Sequence, residues 1–330
     1  MLNVQQIALL GVYGAAKPVV TTFYLRRILS NKMPYITNME TIVYEEIEKY
    51  VRQAHILRRG DKFPVTMLNG SVIKSVTPEA LKDSVPFKAG DMLNRQPGQY
   101  VFINGMKVDN RQYEQDRRVE KLKVSLLTAK EAISASVFLK GTYMSKQTNN
   151  KVTYTYPTAK TVTKATLEKF EKWLIDEMND FVKTTNAPVT EILIGANIFN
   201  FLRELYNPSS NEIMGKAQIT INKAEDGQEE MSIKVMGKTF TLFGPAYDVK
   251  GDPINTDDEI MFYNTAAFLP AYAGVVNVLN GVSMMEAVTE LLRELPADPE
   301  TGESKTLIES AYCPIIVNSG YIKTYKVTGL

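Results

Sequence analysis

A chain of 330 residues has room for one large domain or two ordinary ones, and 44% hydrophobic residues can supply a sizeable core. The 38 Lys and Arg balance 37 Asp and Glu to a net charge of +1, which excludes the basic excess of a nucleic-acid-binding domain. One histidine and one cysteine exclude an internal disulfide and a zinc cluster, and no run of about 18 apolar residues spans a membrane.

At the N-terminus, Ile7 to Ala16 is apolar and small, but no Lys or Arg precedes it as a signal peptide requires. Val19, Val20, Phe23, Tyr24, Leu25, Ile28 and Leu29 then crowd between Pro18 and Pro34. So apolar a segment must be covered. It packs either on its own domain or, as an arm, on a neighbouring subunit. Phe23, Tyr24 and Leu25 are the candidates for that second contact.

Thr41 to Val51 reads as a strand, with a short helix as the alternative. A basic turn, His55 to Lys62, follows. Asn69-Gly70 lies between Val65–Leu68 and Ser71–Lys74, and Asn-Gly suits the positive φ of a type I′ turn. These signals predict an extended hairpin across roughly 52 to 80. Its charges and thin apolar content make it project from the core, and so long a hairpin needs a partner surface. Arg58, Arg59 and Lys62 form a basic patch suited to an acidic face on another copy. The candidate faces are Glu45, Glu46 and Glu48, or Glu114, Asp116 and Glu120.

The same turn chemistry recurs at Asn104-Gly105. Residues 109 to 140 then hold neither Pro nor Gly, and Val119, Leu122, Leu126, Ala129, Ile133 and Val137 recur at steps of three and four. That spacing predicts one amphipathic helix roughly 45 Å long, with Asp109 as N-cap and Gly141 as the stop. A strand pair follows, Thr142 to Met144 with Lys151 to Tyr156.

A second helix is predicted from about Lys164 to Thr184, with Leu167, Phe170, Leu174, Met178 and Phe181 inward. Thr190 to Ile194 reads as a strand and Ala196 to Tyr206 as a third helix. Met231–Met236 and Thr239–Phe243 flank a turn at Gly237-Lys238. Glu259 to Tyr263 reads as a strand, Val282 to Leu295 as a short helix, and the stretches from Leu307 to Val327 as strands.

Chemistry is sparse. His55 stands alone in a charged hairpin, so no Ser–His–Asp or Cys–His site has a base. Cys313 lies in an apolar run and reads as an inert core residue. Gly237-Lys238-Thr239 ends like a phosphate loop, but the glycine needed five residues earlier is Ser232, and a strand follows rather than a helix. The adjacent carboxylates at Glu229 and Glu230, and at Asp257, Asp258 and Glu259, read as solvated turns.

The order of elements nevertheless resembles a known layout: apolar arm, projecting charged hairpin, long spine helix, strand pair, α/β unit and closing strands. It is the layout of tailed-phage major capsid proteins, more narrowly the lambda major capsid protein (E-protein) family. The carrying segments are Phe23-Tyr24-Leu25-Arg26, the spine end from Ser136 to Tyr143, Ile192-Leu193-Ile194 with its helix to Arg203, and Ile308-Glu309-Ser310-Ala311.

The resemblance implies an α+β fold of the Hong Kong phage type. Residues 1–40 would be the arm, 41–155 a peripheral domain holding hairpin and spine, 156–306 an axial domain, and 307–330 strands returning to the peripheral domain. It implies a structural protein rather than an enzyme, one that self-assembles as hexamers and pentamers into a shell around double-stranded DNA. Scaffolding and portal proteins, and in some systems a decoration protein, would be its partners, the virion its location, and it would need no cofactor. Near-neutral charge suits a shell that must not grip its DNA. The alternatives are an encapsulin-like nanocompartment shell and a cytosolic two-domain enzyme.

Overall fold

The structure is a computed structural model. It describes residues 4–16, 20–30, 32–47, 71–87, 102–103, 106–107, 110–144, 151–206, 217–223, 229–279, 282–296, 298 and 302–330. The long helix is present as Asn110–Lys140, 31 residues. Val119, Leu122, Leu126, Ile133 and Val137 are buried along it, and Ala129 is half-buried. Gly141 ends it at φ +64°, its N–H bonding the Val137 carbonyl at 2.9 Å. A Cβ there would meet Tyr156 Cβ at 2.6 Å, so both backbone and space demand glycine. The predicted N-cap, Asp109, lies outside the described residues.

This spine organises two of the three cores. Its first half packs on an N-terminal helix, Val4–Ala15, through Leu9, and on strands Leu291–Leu295 and Ser304–Ser310 through Leu292 and Ile308. Its second half, with Ile133, Val137 and Phe138, packs on a short arm helix, Phe23–Leu29. The same core includes strands Phe268–Tyr272 and Tyr312–Ile316, which pair antiparallel.

The third core belongs to an α/β unit. Its seven-stranded sheet runs in the order Ala217–Lys223, Glu229–Val235, Lys238–Leu242, Glu191–Ile194, Glu259–Tyr263, Ile322–Thr328, Lys160–Thr163. Phe170, Leu174 and Phe181 of helix Phe170–Thr185, with Ile198 and Leu202 of helix Ala196–Tyr206, share a core with Ile192, Phe240 and Phe262 of the sheet.

Several expectations change. The helix predicted from about Lys164 to Thr184 is broken into Lys164–Leu167 and Phe170–Thr185, and Lys169 leaves helical geometry at φ −104°, ψ 45°. The turn between Glu229–Val235 and Lys238–Leu242 is Met236-Gly237, at φ 52° and 75°, one residue earlier than predicted. Val282 to Leu295 is not a helix but two strands, Val282–Glu286 and Leu291–Leu295. Its Met, Glu, Ala and Leu favour a helix in isolation. Leu291 and Leu292, however, are buried, and their strand pairs with Ser304–Ser310, which pairs on its other side with Leu81–Phe87. Tertiary pairing overrides propensity there.

Strands Phe268–Tyr272 and Tyr312–Ile316 share a core with arm and spine, while the final strand, Ile322–Thr328, sits inside the α/β sheet. The two units are interleaved along the chain.

Candidate functional site at the arm and spine junction

The arm helix is only two turns long, and its first N–H groups have no partner within the helix. The spine supplies one. Glu131, buried, accepts the Tyr24 N–H at 2.9 Å on Oε1 and the Leu25 N–H at 2.8 Å on Oε2. A carboxylate at this end also complements the helix dipole. Burial pushes the Glu131 carboxyl up to about 7, although the two N–H groups and the charges of Arg27 and Arg26 pull the other way.

Eight residues earlier, or ~12 Å along the axis, Lys123 does the converse. Its Nζ donates to the Tyr13 and Ala16 carbonyls at 2.7 and 2.6 Å, capping the C-terminal end of the N-terminal helix. The spine thus holds a cation against one helix's end and an anion against the next helix's start.

The arm also ties the spine to the α/β unit. Arg27, buried, donates from Nε and Nη2 to Glu191 at 3.0 and 2.6 Å, and from Nη1 to Glu230 at 3.0 Å. Its guanidinium lies 3.6 Å over the Phe23 ring. Burial works against its charge, but the bonds to Glu191 and Glu230 and the field of Glu191 more than offset that, and its pKa stands above the ordinary value. Arg26 pairs with Glu230 too, and the Tyr263 hydroxyl donates to Glu191. Tyr24 donates to the Gly244 carbonyl at 2.9 Å, and a Cβ at Gly244 would come 2.5 Å from the Phe23 ring. Phe138 of the spine stacks on Phe268 at 4.7 Å and meets Tyr263 edge-on at 5.0 Å.

A second charge is buried in the spine. Lys130, 2% exposed, pairs with Glu290, and its Nζ lies 4.9 Å from the Tyr272 ring centre. Burial lowers its pKa, with Glu290 opposing.

Of the residues singled out in the sequence, Phe23, Tyr24 and Leu25 keep 3%, 0% and 2% of their surface. They are buried in the chain's own core. Arg58, Arg59, Lys62 and His55 lie outside the described residues. Of the hairpin predicted over 52–80, the structure describes one strand, Ser71–Val76. It pairs antiparallel with Ile42–Ile47, so the paired stem begins at Ile42, before the predicted start. Cys313 is buried, as expected of a core residue. Glu131, Lys123, Glu191 and Glu230 carried no sequence signal for this junction, and Arg27 only its place beside Arg26 in an apolar segment, because their partners lie between 106 and 204 residues away.

Among the described residues no three His, Cys, Asp or Glu gather as a metal site, and no helix is long and apolar enough to cross a membrane. A cavity of about 520 Å³ beside Glu131 is lined by Thr21, Ser125, Thr128, Ala129 and Asp248, among others. Another, of about 400 Å³, lies between Lys160, Asp180, Thr184 and Ser319. Neither lining includes a histidine or cysteine.

No protein-family model matches the sequence, and no curated protein matches it. Solved structures do share the fold. A protein described as a prophage capsid protein of E. coli CFT073 aligns with TM-score 0.57 at 11% identity, over 98% of this chain and 99% of its own. The mature capsid of bacteriophage PhiM1 aligns with TM-score 0.47 at 12% identity, over 94% and 88%. The capsid of cyanophage P-SCSP1u aligns with TM-score 0.46 at 10% identity, over 90% and 86%. The fold is that of tailed-phage major capsid proteins.

Proposed function

We propose that this chain is a major head protein, the repeating subunit of an icosahedral shell that encloses phage or prophage double-stranded DNA. The observation that carries this reading is the end-to-end correspondence with the prophage capsid protein, which leaves neither chain with an unmatched domain. The fold supplies what such a subunit needs: a rigid spine, an α/β unit fixed to it through Arg27, and a hairpin stem leading into a charged segment. Hexamers and pentamers of the subunit would tile the shell, with scaffolding and portal proteins directing closure and, in some systems, a decoration protein on the outside. Near-neutral charge lets packaged DNA slide past the wall, since each phosphate neutralised would add salt-dependent affinity.

The test is assembly. Purified protein, alone or co-expressed with its genomic neighbours, is expected to form closed icosahedral shells under the electron microscope. Protein that stays small and monodisperse by light scattering in both settings refutes the reading.

A further inference from the structure

Arg27, Lys130 and Glu309 are buried charges with ion partners: Glu191 and Glu230 for the first, Glu290 for the second, Lys82 and Arg293 for the third. Glu131 is buried too, yet among the described residues no cation stands within ion-pairing distance of it. Its oxygens take one backbone N–H each, from Tyr24 and Leu25. A carboxylate has about four acceptor positions, so half of this one's capacity is unspent within the described residues. A buried charge without a cation is costly unless something else supplies one.

Glu131 also lines the cavity of about 520 Å³ at the arm and spine junction, a volume within the range of small-molecule sites. On the spine wall, Ala129 and Ala132 contribute only methyl groups. Another wall, Pro245 to Gly251, is held by its own bonds. The Asp248 N–H donates to the Asp252 carbonyl and the Gly251 N–H to the Asp248 carbonyl, both at 2.9 Å. Asp248 Oδ1 accepts the N–H groups of Lys250 and Asp252. Val20, Pro245 and Val249 add apolar surface. The cavity is thus preformed, and its lining sets two carboxylates, Glu131 and Asp248, against one cation, the exposed Lys250.

Such a site asks for a cation to meet the carboxylate and an apolar body to cover the walls. A bare metal ion fits poorly, because it needs several oxygen ligands and no three carboxylates gather among the described residues. We propose that the cavity binds a small aliphatic amine, its ammonium on Glu131 and its alkyl chain along Ala129, Ala132 and Val249.

Binding is then tied to the charge on Glu131. The titratable groups around it are Tyr24, Arg26 and Arg27 of the arm, Tyr312 of the core, and Asp248 and Lys250 of the cavity. Burial keeps both tyrosines neutral, and Arg27 is engaged by Glu191 and Glu230. With the Glu131 carboxyl raised to about 7, roughly a tenth of the chains carry its charge at pH 6 and roughly nine-tenths at pH 8. An aliphatic ammonium, like that of lysine, stays charged throughout. Apparent affinity follows the competent fraction, so it should rise about ten-fold across that window.

The test is titration calorimetry of the full, unassembled chain with 1-aminopentane at pH 6, 7 and 8 and constant ionic strength. Wild type should bind it saturably, about ten-fold tighter at pH 8 than at pH 6, whereas 1-pentanol, which lacks the ammonium, should show no such dependence. Glu131→Gln should flatten the pH profile and lose at least ten-fold in affinity at pH 8. Because that change also alters the anchor of the arm, Thr128→Trp and Ser125→Trp are the deciding variants. Both positions line the cavity and are exposed, so bulk there should block the amine and leave the urea midpoint nearly unchanged. Wild type without saturable binding at pH 8 overturns the proposal. So does binding that both Trp variants retain, which would place the amine elsewhere. The result is independent of assembly: a chain that binds the amine and forms no shell removes the shell reading alone, and shells from a chain that binds no amine remove this proposal alone.

Discussion

Glu131→Gln removes one charge from the middle of the spine and leaves its shape almost intact. The replacement amide still offers one oxygen to the Tyr24 or Leu25 N–H, but it cannot ionise. In the folded chain the Glu131 carboxyl is raised from 4.5 to about 7, burial being the main cause. The folded state therefore holds that proton more tightly than the unfolded state does. The linked stability is fully present below about 4.5 and is lost as pH rises through about 7. At about 1.4 kcal/mol per unit, the gap sets a ceiling of about 3 kcal/mol. Most of that change falls between pH 5 and pH 8. Urea unfolding of the unassembled subunit across that window should show wild type losing about 2–3 kcal/mol more than Glu131→Gln. A constant offset between the two curves would report the lost second acceptor. The difference in slope reports the buried charge. Parallel curves would refute the reasoning, because the two N–H bonds and Arg27 would then have compensated the burial in full.

Three other outcomes are expected. Leu126→Asp buries an unpaired charge in the spine stripe and should cost several kcal/mol, seen as insoluble or unfolded protein by circular dichroism; a soluble, folded variant would show that the stripe is not core. Arg27→Met strips Glu191 of its cation and leaves Glu230 only Arg26; it should cost about 3 kcal/mol, with a double-mutant cycle against Glu191→Gln showing strong coupling, and an additive cycle would place the cost elsewhere. Arg58→Glu with Arg59→Glu should leave subunit stability within about 0.5 kcal/mol per site yet abolish or misdirect assembly, and wild-type assembly should weaken in high salt; normal shells from this variant would remove the hairpin segment from the interface.

The sequence was most readable where the pattern is local. The spine announces itself because residues 110–140 contain no breaker and repeat Val119, Leu122, Leu126 at helical spacing. The sheet strands with strong apolar runs, such as Glu191–Ile194 and Glu259–Tyr263, were equally plain. The stretch from Val282 to Leu295 failed because its helix-forming residues answer to a partner strand, not to their neighbours. The closing strand Ile322–Thr328 looked like a strand, but nothing local says which sheet receives it. The junction was hidden for a different reason. Arg27, Glu131, Glu191 and Glu230 look like ordinary surface charges until folding brings distant segments together. A charged pair at Arg26-Arg27 inside an apolar segment was the one available hint, since such charges are seldom buried unless paired.

The two caps on the spine also make it a ruler. Lys123 meets the end of one helix and Glu131 the start of the next, so their separation is counted in residues. Inserting or deleting a single residue between them would turn one relative to the other by about 100° and slide it by ~1.5 Å. Both helices could not then be gripped at once. Val124 and Ser125, between Lys123 and Glu131, are exposed. Across related chains the exposed positions of this stretch should drift in spelling while its length stays fixed, and an alignment that needs a gap between 123 and 131 marks a chain whose arm is held in some other way.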